Sequence, residues 1–308
     1  MREVSYPPLL FQLEDITKTY GPVTALNSLS VSVPEGAIGL LGPNGSGKTT
    51  MIRTLLGLIK VDKGAGNVLG MNILTQKLEI RQAIGFAPED ECLFPGVEGV
   101  EFVAYAGKLL GMPGKDAMQR AHEVLDYVGL GEARYRPVEG YSTGMKQRIK
   151  LAAAIVHDPK LLILDEPTNG MDPAGREDIL RLAHDLSHNK SMSVLFSSHL
   201  LPDVEAVCDY VVVLGGGRVL TQGNIQELKQ MHRECFEVRV KSSPTVFAER
   251  LTARGCQIAS RDDVLLVQLP KDGSSRMIWE VASEQKEQIR YLRPQRSTLE
   301  EVFLKAVQ

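Results

Sequence analysis

Eight residues, Gly42-Pro-Asn-Gly-Ser-Gly-Lys-Thr49, constrain this chain more than any other stretch. They match G-x-x-x-x-G-K-[ST] in full, and they lie between the apolar run Ala37–Leu41 and a helix-forming stretch that reaches about residue 56. A buried strand that feeds a glycine loop and then a helix is the opening unit of an α/β fold. Gly42, Gly45 and Gly47 put no Cβ between backbone N–H groups and an anion, so with Pro43, Asn44 and Ser46 they form a phosphate cradle. The following helix adds the positive end of its dipole. Lys48 is predicted to reach the β and γ phosphates and Thr49 to ligate Mg²⁺, with Thr50 beside it. The expectation is therefore a nucleoside triphosphate site.

A second stretch completes that site. Leu161-Leu-Ile-Leu-Asp165-Glu166 is an apolar run ending in two carboxylates. A buried strand delivers such acids at its C-terminal edge, where α/β proteins bind ligands. Asp165 suits Mg²⁺, directly or through water, and Glu166 suits polarising an attacking water. Taken alone, the run equally describes a strand meeting a solvated acidic turn. Paired with the phosphate loop, it reads as the metal and water side of the site.

The remaining pattern sets the architecture. The chain's 308 residues suggest about two domains. Strand patterns fall at residues 10–13, 29–33 and 193–197, residues 15–20 lead toward a turn at Gly21–Pro22, and a hairpin is expected at 210–221. Residues 93–157 read as mostly helical, clearest at 100–110 and 117–128, and further helices are expected at 176–187 and 202–208. The pattern changes near residues 229–234. Beyond it, strand, helix, strand, strand, helix, strand suggests a small ferredoxin-like α+β appendage, so the domains are expected at 1–230 and 235–308.

Composition excludes several classes. A net charge of −3 gives no electrostatic reason to expect nucleic acid as a partner. No apolar run approaches the ~18 residues of a membrane span, and the first residues lack a signal-peptide core. The expected location is the cytosol, or at least the cytoplasmic side of a membrane. Cys92, Cys208, Cys235 and Cys256 show no metal or redox spacing and read as unpaired thiols.

The stretch Tyr141-Ser-Thr-Gly-Met-Lys-Gln-Arg148 narrows the field. It precedes the acidic strand and opens a helical run, and it resembles a degenerate form of the LSGGQ signature of ATP-binding cassette (ABC) ATPases. The resemblance covers about residues 10–228, and other family elements follow in order. Tyr20 stands where the family has an aromatic that stacks on adenine. Phe86-Ala-Pro-Glu89 resembles the loop that normally ends in a glutamine sensing γ-phosphate and Mg²⁺. Gly170-Met-Asp172-Pro173 resembles the D-loop, and Ser197-Ser-His199 the switch histidine. Each alone has a plainer reading, as a turn, a helix start or a solvated histidine; their order carries the resemblance. Thr143, Met145 and Glu89 depart from the usual residues, while Ser142 and Gly144 remain.

The resemblance implies a P-loop NTPase cassette: a RecA-like core with antiparallel β and helical subdomains. It implies ATP hydrolysis with Glu166, His199 and Lys48 as catalytic groups and Mg²⁺ held by Thr49, Asp165 and Glu89. It also implies head-to-tail pairing with a second copy or a homologue, in which Ser142 and Gly144 of one chain cover the ATP held by the other, with Asp172 also among the nucleotide-binding residues. Separate membrane permease subunits would be the partners, docking near residues 91–103, whose apolar residues read equally well as core. The segment 293–304, with its Ser-Thr-Leu-Glu-Glu-Val-Phe-Leu ending, is similar to ATPases of the type-2 exporter branch. It also reads as a capped amphipathic helix. An ABC ATPase acting on nucleic acid would carry two cassettes or a long coiled-coil insertion. A non-hydrolysing nucleotide binder would not need Lys48, Asp165, Glu166 and His199 together.

Overall fold

The computed structural model describes residues 9–190, 192–230, 235–242, 244–261, 263–270 and 273–294. The elements in chain order are β1 (Leu9–Tyr20), β2 (Val23–Pro34), β3 (Ala37–Leu41), α1 (Lys48–Leu55), β4 (Lys63–Val68), β5 (Met71–Asn72), α2 (Lys77–Ala83) and β6 (Ile84–Ala87). Then come α3 (Gly99–Leu109), α4 (Gly114–Tyr127), α5 (Thr143–Ile155), β7 (Leu161–Asp165), α6 (Pro173–His188), β8 (Ser193–Ser198), α7 (Leu201–Val207), β9 (Tyr210–Gly215) and β10 (Arg218–Asn224). Last are α8 (Ile225–Gln230), β11 (Cys235–Val240), α9 (Pro244–Ala253), β12 (Gln257–Arg261), β13 (Val264–Gln268), α10 (Arg276–Glu284) and β14 (Ile289–Pro294). The chain divides into two compact units at Gly223–Asn224.

The first unit is built on two sheets. A mixed sheet has the order β10-β9-β3-β8-β7-β6, and β3, β6, β7, β8 and β9 pair in parallel. Every residue of β3, β7 and β8 is buried, as expected of strands covered on both faces. An antiparallel sheet has the order β2-β1-β4-β5. Its strands alternate: Phe11, Leu13, Leu29, Val31 and Val33 turn inward and join Ile38 and Leu40 of β3 and Met51, Ile52 and Leu55 of α1 in one core. The phosphate-loop helix is thus buried between the two sheets. Helices α3, α4 and α5 pack together as a helical layer.

The parallel register decides where the site lies. Leu41 pairs with Ser198 and Asp165 with Ser197. The strands end level with one another, so Gly42, Glu166 and His199 leave the sheet side by side. That is the carboxyl edge at which open α/β sheets bind ligands.

The second unit has the sheet order β12-β13-β11-β14, with every neighbouring pair antiparallel. Helices α9 and α10 supply Phe247, Leu251, Ile278 and Val281 to a separate core with Val238, Val240, Leu265 and Val267. This is the ferredoxin-like arrangement that the order of elements suggests.

Some of the chain differs from the sequence reading. Residues 10–13 and 15–20 are one strand interrupted by a bulge, where Asp15 takes a positive φ of 51°. The stretch 61–87 carries β4, β5, α2 and β6, none of which the pattern announced. Lys63-Gly-Ala-Gly-Asn-Val has little β-branched content, and three of its six residues face solvent in succession. The segment beyond residue 294, including the predicted last helix and the Ser-Thr-Leu-Glu-Glu-Val-Phe-Leu ending, lies outside the described residues.

Candidate functional site

The loop after β3 follows a path open to glycine alone at two points. Gly47, the cap of α1, has φ 106°, and a Cβ there would lie 2.7 Å from the Ala25 carbonyl oxygen. A Cβ on Gly42 would lie 2.4 Å from Ser46 Oγ and 2.7 Å from the Leu214 carbonyl oxygen. Pro43, Asn44 and Gly45 form the exposed crest of the loop. Ser46 is buried beneath it, and its Oγ has no hydrogen-bond partner within the described protein. Thr50 accepts a hydrogen bond from the Thr54 hydroxyl through its carbonyl, 2.9 Å away, inside the first helical turns.

Lys48 is buried. Its Nζ donates to the carbonyls of Gly42 at 2.7 Å and Pro43 at 3.4 Å, and it stands 3.3 Å from Glu166 Oε1. Glu166 is buried too, and its other oxygen, Oε2, is 2.8 Å from His199 Nδ1. The carboxylate is therefore gripped between a lysine and a histidine. Its backbone is left-handed, with φ 47°, and its N–H donates to the Ser197 carbonyl at 3.0 Å. A non-glycine residue in that region costs roughly 1–2 kcal/mol, and such strain is concentrated at sites where side-chain direction matters.

Thr49 Oγ1 donates to Asp165 Oδ2 at 3.2 Å. Burial pushes the Asp165 carboxyl above the usual carboxylate range; the nearby Ser197 and Thr49 hydroxyls oppose this, and the charges of Glu89 and Glu166 add to it. Asp165 Oδ1 and Ser197 Oγ are buried without hydrogen-bond partners. Among the described residues no group of three His, Cys, Asp or Glu is arranged as a metal cage. One carboxylate, one hydroxyl and free buried oxygens instead fit Mg²⁺, which takes few protein ligands and completes its shell with phosphate and water. Glu89 is exposed at the start of the loop after β6, and its Oε1 accepts from Asn169 Nδ2 at 3.1 Å.

Tyr20 ends β1, 45% exposed as a residue, with the Lys18 ammonium 5.3 Å from its ring centroid. Asp62 pins that strand end. It accepts from the Thr19 N–H and hydroxyl, both at 2.7 Å, and from Lys18 at 3.2 Å, and these bonds pull its carboxyl down to about 2.

Ser142, Gly144 and Asp172 lie elsewhere. Ser142 caps α5, its Oγ accepting from the Met145 N–H at 3.4 Å, and Asp172 caps α6, accepting from the Gly175 N–H at 3.0 Å. With Gly144, Met145, Arg148 and Gly175 they line one open cleft. Two helix N-termini face it, an arrangement that favours an anion.

The sequence reading passed over one buried hub. Asp203 of α7 is fully buried and accepts from Thr168 Oγ1 at 2.6 Å and Arg176 Nε at 2.7 Å. It ties the loop after Glu166 and the helix after Asp172 to the helix after His199. No spacing rule marks such a residue, because its partners meet only in the folded chain.

Residues 26–169 match the family described as ABC transporter. The chain is 34% identical over 300 residues to YxlF of Bacillus subtilis (strain 168), an uncharacterised ABC transporter ATP-binding protein, covering 97% of this chain and 99% of that one. It is 39% identical over 220 residues to the linearmycin resistance ATP-binding protein LnrL of the same organism, covering 71% and 70%. The post-hydrolysis dimer of the ATP-binding cassette MJ0796, bound to ADP and Pi, superposes with a TM-score of 0.64 at 25% identity, covering 70% of this chain and 98% of that one. With its phosphate loop, acidic strand and cassette fold, the chain belongs to the ABC transporter ATP-binding proteins, as a subunit that binds and hydrolyses ATP.

Proposed function

We propose that two copies of this chain pair head to tail and power an exporter through separate permease subunits on the cytoplasmic face of a membrane. One observation carries the pairing. The Lys48–Glu166–His199 cluster and the cleft of Ser142, Gly144 and Asp172 are two half-sites built on different helices, and a second copy related by a two-fold would join each to its complement. The dimeric, ADP- and Pi-bound state of MJ0796 supports that reading. The direction rests on the Ser-Thr-Leu-Glu-Glu-Val-Phe-Leu ending and on the resistance role in the name of LnrL.

In this reading Tyr20 stacks on the adenine and residues 42–50 hold the phosphates. Thr49, Asp165 and Glu89 hold Mg²⁺, which when bound neutralises phosphate charge. Glu166 accepts a proton from the attacking water, and His199, 2.8 Å from its Oε2, orients that carboxylate. The ferredoxin-like unit, proposed as 235–308, is an accessory domain, since every nucleotide motif lies in the proposed 1–230 cassette. Among the described residues no helix is long and apolar enough to cross a membrane.

Glu89 places a carboxylate where the family has an amide. A carboxylate attracts a hard cation more strongly than an amide does. Glu89→Gln is therefore expected to keep the fold and the maximal turnover but raise the Mg²⁺ concentration for half-maximal hydrolysis by at least about threefold. Superimposable Mg²⁺ titrations at saturating ATP would remove Glu89 from the metal site.

The docking surface is proposed at residues 91–103. Phe94 is half exposed and stacks edge-on against Phe102 and Tyr105, 5.7 and 6.1 Å away between centroids, beside Val97 and Met118. A groove of apolar side chains edged by Glu101 and Lys108 suits a short amphipathic helix of a membrane partner. Phe94→Asp should leave the ATPase rate of the purified protein within about twofold while removing at least about 90% of its recovery with membranes from cells that carry the permease. Undiminished membrane recovery would move the docking surface elsewhere.

A further inference from the structure

Four residues of α5 and its cap fall on one helical stripe: Ser142, Lys146, Lys150 and Ala154, each four apart. Three of them meet one continuous segment of β6 and its loop. Gly85 lies so close to α5 that a Cβ there would be 2.1 Å from the Ala154 carbonyl oxygen. One turn earlier on the helix, the buried Lys150 Nζ donates to the carbonyls of Pro88 at 2.6 Å, Glu89 at 3.1 Å and Asp90 at 3.4 Å. A further turn earlier, Lys146 Nζ pairs with Glu91 Oε1 at 2.5 Å. The helix and the segment 85–91 therefore run alongside each other in register. Ser142, the next residue of the stripe, opens the helix in the cleft with Gly144, roughly 12 Å from Lys150 along the axis.

We propose that Lys150 is a positioning residue for ATP hydrolysis, locking the Glu89 loop and the helix that begins at Ser142 into one moving body. An ammonium has three N–H groups, and here three successive carbonyls receive them. Glu89 belongs to the chain's own half-site, next to Asn169 and within the field of Asp165. Ser142 and Gly144 belong to the half-site presented to the second copy. A displacement of Glu89 on meeting Mg²⁺–ATP is thereby passed to the surface that covers the partner's nucleotide. Lys146 is the half-buried, weaker member of the stripe; Lys150, buried and saturated, transmits the movement.

This inference rests on the head-to-tail reading, and one experiment separates the two. Glu166→Gln protein with ATP is followed by light scattering against protein concentration, with Mg²⁺ and with chelator. Mg²⁺ is expected to lower the dimerisation midpoint at least about tenfold. Adding Lys150→Met, a side chain of similar length without donors, should shrink that ratio below about threefold, while calorimetry shows ATP affinity per chain changed less than about threefold. Lys150→Gln is read in the same way if the methionine variant does not fold. A full Mg²⁺-dependent shift in a folded Lys150 variant, or a parent whose dimerisation ignores Mg²⁺, overturns the proposal alone. A parent that stays monomeric under every condition overturns the head-to-tail reading and the proposal with it.

Discussion

Lys48→Ala is expected to weaken ATP binding by at least about 100-fold, about 2.7 kcal/mol, and to take turnover below detection. The lysine is the one buried cation at the mouth of the phosphate loop among the described residues, with its ammonium between the carbonyls of Gly42 and Pro43 and the Glu166 carboxylate. A γ-phosphate competes with those acceptors for the same charge, in surroundings where charge–charge attraction is strong. The substitution also leaves Glu166 Oε2 with His199 as its side-chain partner and Oε1 without one. The fold should survive, because the loop path is held by Gly42 and Gly47 and alanine is a good residue for a helix start. Calorimetric titration with ATP, together with a phosphate-release assay, checks both parts. Unchanged affinity would remove Lys48 from the phosphate site.

Glu166→Gln should separate binding from chemistry. The amide has nearly the same shape and can still meet His199 and Lys48 through its oxygen, so ATP affinity is expected to stay within about threefold. It cannot accept a proton, and general-base catalysis is worth roughly 10²–10⁴ in rate. Turnover should fall by about that factor. With hydrolysis stopped, the ATP-bound pair accumulates, so light scattering should report a dimer with ATP and a monomer without it. Wild-type turnover in this variant would show that the carboxylate is not the base. A variant wholly monomeric at high concentration with ATP would break the two-copy arrangement.

Legibility in the chain followed burial and backbone chemistry. Strands β3, β7 and β8 are continuous apolar runs because both of their faces are covered, and such runs stand out in sequence. The second unit was legible for a different reason: its alternation of strand and helix patterns is regular enough to imply a ferredoxin-like order, which the β12-β13-β11-β14 sheet has. The stretch 61–87 was not, because its strands are short, glycine-rich or two residues long, and tertiary contact alone makes them strands. The phosphate loop and acidic strand were legible since their chemistry depends on backbone shape and neighbouring residues.

Sequence by itself determined that this chain holds a nucleotide: the glycines that open a backbone path, the lysine and threonine that follow them, and the two acids at the end of an apolar strand are all local features. Tertiary structure decided how those groups act together. The level ends of β3, β7 and β8 bring Lys48, Glu166 and His199 within 3.3 Å of their neighbours, two buried side chains capped by an exposed histidine. The left-handed backbone at Glu166 aims its carboxylate between them. Asp62, Lys150 and Asp203 acquire their parts from partners far away in sequence: Asp62 from Thr19, Lys150 from the carbonyls of 88–90, and Asp203 from Thr168 and Arg176. A polar side chain states what it can bond, and only the packed fold, by removing water from it, states which partner it must take.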